Sequence, residues 1–217
     1  MLALWYSLYM EKKHIITLSG KPGSGKSSTA DRVAELLGYT QYSAGDLVRA
    51  QIRKKKITLD TFNQMAIEDH ELDYSIDEEL RNLRDVKDVV IDSRLGFYWI
   101  PESFKVYLDL DMDVATARIF KDTVSNELRE YGDGAGSTIM EVQKLVHARL
   151  ENEKLRFKTL YGVNPYSNAN FDLIINTSRH SPQTVALTVF DTYKKWLESE
   201  EWKQVVSEVP MGYSFKS

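Results

Sequence analysis

No cysteine occurs in the 217 residues. Disulfides, thiol nucleophiles and cysteine-based zinc sites are thereby excluded, and the absence fits a reducing cytosol. Histidine is scarce as well. The four present are scattered without ligand spacing, so they read as structural or solvent-facing side chains. There is no excess of positive charge: 28 Lys and Arg stand against 32 Asp and Glu, a net charge of −4. That balance speaks against a nucleic-acid-binding surface. There are no repeats and no low-complexity segments. The apolar N-terminus Met1-Leu2-Ala3-Leu4-Trp5-Tyr6-Ser7-Leu8-Tyr9-Met10 is too short to span a bilayer. It also lacks the basic first segment and small-residue cleavage site of a secretory signal. Residues 1–9 are therefore expected to be an extension ahead of the fold. The chain is expected to be cytoplasmic and monomeric, with neither membrane nor nucleic acid as a partner.

What is present is an ordinary globular composition, 42% hydrophobic and 28% charged, at a length suited to one α/β domain. One stretch organises it. Gly20-Lys21-Pro22-Gly23-Ser24-Gly25-Lys26-Ser27 fits the P-loop pattern G-x-x-x-x-G-K-[ST]. The flanks agree. His14-Ile15-Ile16-Thr17-Leu18-Ser19 reads as a buried strand, and Ser28 to Leu37 has helical spacing with Gly38 as its stop. In that context successive loop amides form a concavity that binds anions, and the helix N-terminus adds its positive end. Lys26 can reach the β- and γ-phosphates of a nucleotide, and Ser27 can ligate Mg²⁺.

Further strands are predicted at 39–42, 88–92, 104–109 and 171–176. Helices are predicted near 44–56, over parts of 58–85, from Asp113, from Ile139 to Leu160, and from Ser181-Pro182, where Val185, Val189, Tyr193 and Trp196 form the apolar side. Strand and helix alternate, so the fold class is α/β. A five-stranded parallel sheet with helices on both faces makes a three-layer P-loop NTPase fold. Asp92 ends an apolar strand, the Walker-B pattern whose carboxylate helps hold Mg²⁺. Arg94 follows at the carboxyl end of that strand, either as a phosphate fork or as an ion pair with Asp92. Segments 58–85 and about 122–140 fall outside the alternation. Both leave the carboxyl edge of the sheet, where an acceptor clamp and a lid belong. From about Glu200 the sequence gives no regular pattern.

No N-K-x-D base-recognition motif exists, which argues against a GTPase, and the chain is short for an ATPase motor. A small kinase remains. The chain resembles the archaeal-type cytidylate kinases of the nucleoside-monophosphate kinase family. The resemblance runs through Ile16–Ser27, Ser43-Ala44-Gly45-Asp46 with Arg49, Phe62, Glu68-Asp69, Asp73 with Ile76-Asp77, and Val89–Leu95. Its most selective block is Arg149, Glu153, Arg156-Phe157-Lys158, Tyr161-Gly162-Val163 and Phe171–Thr177.

The resemblance implies one domain over 10–200, with an acceptor-binding insertion at about 44–86, a lid at about 122–140 and a tail at 201–217. It implies transfer of the ATP γ-phosphate to CMP or dCMP with Mg²⁺. ATP would lie on Gly20, Lys21, Pro22, Gly23, Ser24, Gly25, Lys26, Ser27 and Ser28, with Arg118 on the adenine side. Ser43, Asp46, Arg49 and Arg94 would face the acceptor, and Asp69 and Asp73 are candidates for its base or sugar. Lys26, Arg94, Arg149 and Arg156 would do the catalytic work, and Ser27 and Asp92 would hold the metal. Arg118 can equally be an exposed helix arginine. The chain departs from the family at Ser93, Leu95, Lys121-Asp122 and Asn164 and in its glycine-rich lid. These departures leave the phosphate machinery in place and bear on base selectivity. Two other readings stay open: a P-loop kinase acting on AMP, UMP or a non-nucleotide, and a non-catalytic ATP-binding regulatory protein, which the altered lid start would favour.

Overall fold

The computed structural model describes residues 12–58, 61, 71–125 and 138–207. Phe62, Met65, Ala66, Glu68 and Asp69, most of the lid, and residues 1–9 lie outside the described residues, as does the side chain of Asp73.

The elements run β1 (Ile15–Gly20), α1 (Lys26–Leu37), β2 (Thr40–Ser43), α2 (Ala44–Lys55), α3 (Glu71–Asn82), β3 (Val89–Asp92), α4 (Gly96–Trp99), β4 (Phe104–Asp109), α5 (Met112–Ser125), α6 (Ile139–Tyr161), β5 (Leu173–Asn176), α7 (Pro182–Glu198) and β6 (Val205–Ser207). Among the described residues the strands form one sheet in the order β2-β3-β1-β4-β5-β6, and every pairing is parallel. From β1 the chain crosses to one side for β2 and β3, then to the other for β4 to β6. The glycine loop leaves the carboxyl end of β1 at the point where that order reverses, which is where open α/β sheets bind ligands.

Alternation within the strands builds two apolar layers. Ile16, Leu18, Val90, Val106 and Leu108 face α1 and α7, and meet Val33, Val189, Tyr193 and Trp196 there. Ile15, Val89, Ile91, Tyr107 and Ile174 face the opposite side, toward α3, α4 and α6. Strands covered on both faces read as near-continuous apolar runs, as Val89-Val90-Ile91 and Leu173-Ile174-Ile175 do.

Helix ends are set by short polar signals. Ser43 Oγ accepts the Asp46 N–H at the start of α2. Thr138 and Glu141 form a reciprocal capping box at the start of α6, and Ser181 with Pro182 opens α7. Gly38 closes α1 in the left-handed conformation, its N–H bonded to Ala34 and Glu35 carbonyls. Lys54 and Lys55 end α2 exposed to solvent.

The sheet has six strands where five were expected. The additional strand, β6, pairs with β5 in the stretch past Glu200 that showed no pattern. It is held there by Trp202, whose indole N–H donates to the Asp172 carbonyl and whose ring packs edge-on to Phe104. Gln204 also donates to the Phe171 carbonyl. Three residues are too few to show a period, so side-chain anchors outside the strand decide its place. Trp202→Ala is expected to lower stability by about 2 kcal/mol, since the indole is only half-buried. Urea denaturation midpoints of the two proteins measure this, and ATP affinity should not move.

Candidate active site

The glycine loop is shaped by contacts that exclude side chains. A Cβ on Gly20 would sit 2.3 Å from the Leu108 carbonyl oxygen, and one on Gly23 would lie 3.1 Å from that of Ala115. Gly23 and Gly25 have φ of 76° and 80°, the left-handed region that glycine enters without strain. Gly25 is the N-cap of α1. No side chain caps it, so the first amides of α1 stay available to a ligand.

The loop opens into a cleft of about 680 Å³. Pro22, Gly23, Ser24, Gly25, Lys26, Ser27 and Ser28 form one wall. Arg49, Asp92, Arg94, Arg118, Arg149 and Arg156 also border it. Four expected residues, Gly20, Lys21, Ser43 and Asp46, make contacts of other kinds, while Asp69 and the side chain of Asp73 lie outside the described residues. Gly20 ends β1 against β4. Lys21 turns back to Asp109, 2.6 Å away, and to the Leu110 carbonyl. Ser43 is occupied as the cap of α2, and Asp46 forms an exposed ion pair with Arg49.

Ser27 Oγ donates to Asp92 Oδ2 at 2.6 Å, joining the end of the loop to the end of β3. A hydroxyl and a carboxylate side by side are hard oxygen donors suited to Mg²⁺. Arg94 is held by its own backbone: Ser93 N–H bonds the Leu18 carbonyl, and Ser19 Oγ donates to the Arg94 carbonyl. Arg118 spans two loops. Its guanidinium donates to the Gly23 carbonyl and to those of Thr177 and Ser178, tying the glycine loop to the segment after β5. His180 and Pro182 complete that side of the cleft, an assignment that neither motif nor spacing suggested.

The arginines share one counterion. Arg94 Nε donates to Glu153 Oε2 at 2.8 Å, and Arg149 Nε donates to Oε1 at 2.9 Å. The Tyr166 hydroxyl donates to Oε2 as well. Burial works against the Glu153 charge, but the two guanidiniums and the tyrosine bond outweigh it and hold the carboxyl well below the usual range. Burial likewise opposes the Arg94 charge, and Glu153 overrides it, pushing that guanidinium further up. Lys26 goes the other way. Burial, reinforced by Arg94 and Arg149, pushes its ammonium down to about 7 despite Asp92 and Glu153. Its Nζ rests 3.3 Å from the Lys21 carbonyl. The cleft thus gathers more cationic groups than its carboxylates neutralise, and a bound polyanion would complete it.

Glu153 appeared in the sequence only within the selective motif, and Tyr166 not at all. Asp77 is a third such residue. It lies against the same cleft, 3% exposed, with Trp99 Nε1 donating to one carboxylate oxygen at 2.8 Å and Tyr161 donating to the other.

The doubly covered parallel sheet, the glycine loop at its reversal point and the cation-lined cleft define a P-loop kinase. Solved structures agree on the fold. Shikimate kinases from Acinetobacter baumannii, in complex with shikimate, and from Bacteroides thetaiotaomicron superpose with TM-scores of 0.57 and 0.56. Each is 15% identical, and they cover 88% and 85% of this chain and 98% of their own. Sequence is more specific. The cytidylate kinase-like family matches residues 15–179. A cytidylate kinase from Halobacterium salinarum is 32% identical over 180 residues, 82% of this chain and 88% of that protein. One from Archaeoglobus fulgidus is 34% identical over 172 residues, 78% and 89% of the respective chains. The chain belongs to the cytidylate kinase-like family and is a phosphotransferase.

The buried carboxylate makes a pH prediction. The folded pKa of Glu153 lies below its ordinary 4.5. Its contribution to stability is therefore fully present above that value and is lost as pH falls below it toward the folded pKa. Glu153→Gln is expected to cost about 3 kcal/mol at neutral pH, because it removes the buried carboxylate that two half-buried guanidiniums share. It should also flatten the acid limb below pH 4.5, read from urea midpoints of both proteins across pH.

Proposed function

We propose that the protein transfers the γ-phosphate of ATP to CMP or dCMP, giving ADP and CDP or dCDP, with Mg²⁺. The observation that carries this reading is the convergence on one cleft of Lys26, from the glycine loop, with Arg94, Arg149 and Arg156. Membership of the cytidylate kinase-like family supplies the acceptor class.

In this reading the loop amides and the α1 N-terminus cradle the ATP phosphates, and Lys26 spans the β- and γ-groups. The adenine lies beside Arg118, His180 and Pro182. Arg49 and Arg94 grip the acceptor phosphate. Arg149 and Arg156 neutralise charge on the moving phosphoryl group. An oxygen of the acceptor phosphate forms a new P–O bond to the γ-phosphorus as the bond from the γ-phosphorus to the β–γ bridging oxygen breaks. The acceptor is already an anion, so the site has to align and neutralise rather than abstract a proton.

Ser27 and Asp92 would hold Mg²⁺, which supplies charge neutralisation between the β- and γ-phosphates. Among the described residues no cluster of three His, Cys, Asp or Glu side chains forms a metal cage. One or two protein oxygens beside substrate phosphates are the usual Mg²⁺ site in kinases. Among the described residues no helix is long and apolar enough to cross a membrane.

The test is acceptor-dependent ADP release with Mg·ATP, offering CMP, dCMP, UMP and AMP separately. CMP or dCMP should stimulate turnover well above the others, and Lys26→Ala should lower kcat by about 10²–10³-fold. Preference for AMP or UMP would overturn the base assignment. ATP binding with no acceptor-stimulated release would overturn the kinase reading for these four acceptors.

A further inference from the structure

Asp77 has a position that the phosphate chemistry does not use. It is a buried carboxylate where apolar side chains join the cleft lining, within the field of Arg156. The neighbouring lining is apolar: Val48 and Ile52 of α2, Ile76 and Leu80 of α3, and Phe157 of α6. Burial pushes the Asp77 carboxyl up, against the pull of its bonds from Tyr161 and Trp99 and the charges of Arg81 and Arg156. An ionised carboxylate can accept about four hydrogen bonds, and Trp99 and Tyr161 supply one to each oxygen. Their geometry fixes its plane. The Arg81 guanidinium stacks 3.9 Å over the Trp99 ring, and Trp99 and Tyr161 pack edge to face. An acceptor group so rigidly oriented is preorganised for a donor entering along the cleft.

The helix α6 gives the scale. Glu153, which pairs with Arg94 and Arg149, and Tyr161, which holds Asp77, are eight residues apart on it. That spacing is about 12 Å along the helix axis, comparable to the reach from the phosphate of a nucleoside monophosphate to the far edge of its base. With the phosphate at Arg94, a base directed between these apolar side chains would turn its outer edge to Asp77.

We infer that Asp77 is a specificity-determining residue that accepts a hydrogen bond from the exocyclic amine of the acceptor's pyrimidine, selecting cytosine over uracil. This rests on the proposed kinase reading and names the group that sets its base preference. Cytosine presents a 4-amino donor to a carboxylate. Uracil presents a carbonyl oxygen there, which would face the carboxylate acceptor to acceptor.

Two comparisons test it by steady-state kinetics. The first needs no mutation: wild-type enzyme is given CMP and the 2-pyrimidinone nucleoside monophosphate, which lacks only the 4-amino group. The analogue's kcat/KM should fall by about 100-fold, the loss expected when a site built for a hydrogen bond meets a ligand without it. The second uses Asp77→Asn with CMP, UMP and the analogue. The ratio of CMP to UMP kcat/KM should fall by at least about tenfold, because the amide can donate to the uracil carbonyl. The analogue should change by less than about threefold, and the Kd for ATP without acceptor should hold.

Equal use of CMP and the analogue by the wild type overturns the inference and leaves the kinase reading standing. So does a uniform loss on all three acceptors in Asp77→Asn, which would mark Asp77 as purely structural. Absence of any CMP-dependent turnover in the wild type overturns both. If Asp77→Asn fails to fold, the wild-type comparison decides alone.

Discussion

Cations gathered in one cleft repel each other, and the fold has to tolerate that repulsion before any ligand arrives. Glu153 is the means. It sits 5% exposed on α6, takes Arg94 from the turn after β3 and Arg149 from its own helix, and is held by Tyr166. A charge pair at this depth contributes little net stability when compared with well-packed apolar residues. Its value lies in orientation. With one guanidinium nitrogen of each arginine turned to the same carboxylate, the rest of each fork is aimed in a fixed direction. Among the described residues Lys26 makes no comparable bond to a carboxylate, and burial, reinforced by Arg94 and Arg149, lowers its pKa. Cations gathered where solvent is scarce set both the electrostatic state of the site and its complementarity to phosphate.

The scaffold supplies that arrangement cheaply because its parts are local. The glycine loop, α1 and β1 are contiguous in sequence. Asp92 and Arg94 are two residues apart, at the end of a strand paired directly with β1. The Ser27–Asp92 hydrogen bond then couples two neighbours rather than two distant surfaces. On the other side of the cleft, Arg118 stitches three carbonyls together. Its part there is to fix the loop that carries Gly23 relative to the one that carries His180.

What could be read from the chain follows the same division. The P-loop, its strand and its helix were legible because motif, period and stop signal lie within a continuous run. The α/β alternation and nearly all helix starts were legible for the same reason. Arg94 stayed open between a phosphate fork and an ion pair with Asp92. The structure gives it Glu153, 59 residues away, a contact that no local pattern encodes. Asp77 was visible only as part of a motif, because its partners Trp99 and Tyr161 arrive from separate elements. The short helix α4 and the strand β6 escaped notice since four and three residues cannot display a period. Ser43 was named through the family resemblance alone, and the structure adds that its Oγ caps α2.

The helix α6 carries Arg149, Glu153, Arg156, Phe157 and Tyr161 on one uninterrupted rod. Inserting or deleting a single residue within it would rotate everything beyond by about 100°, swinging Tyr161 out of line with Glu153. Substitutions on its exposed side, such as at Leu155, carry no such penalty. Across related sequences this helix should therefore vary in composition but hold its length. Insertions and deletions should be confined to the connections on either side of it. A length-invariant helix bordered by a length-variable segment is thus the evolutionary signature that this architecture imposes.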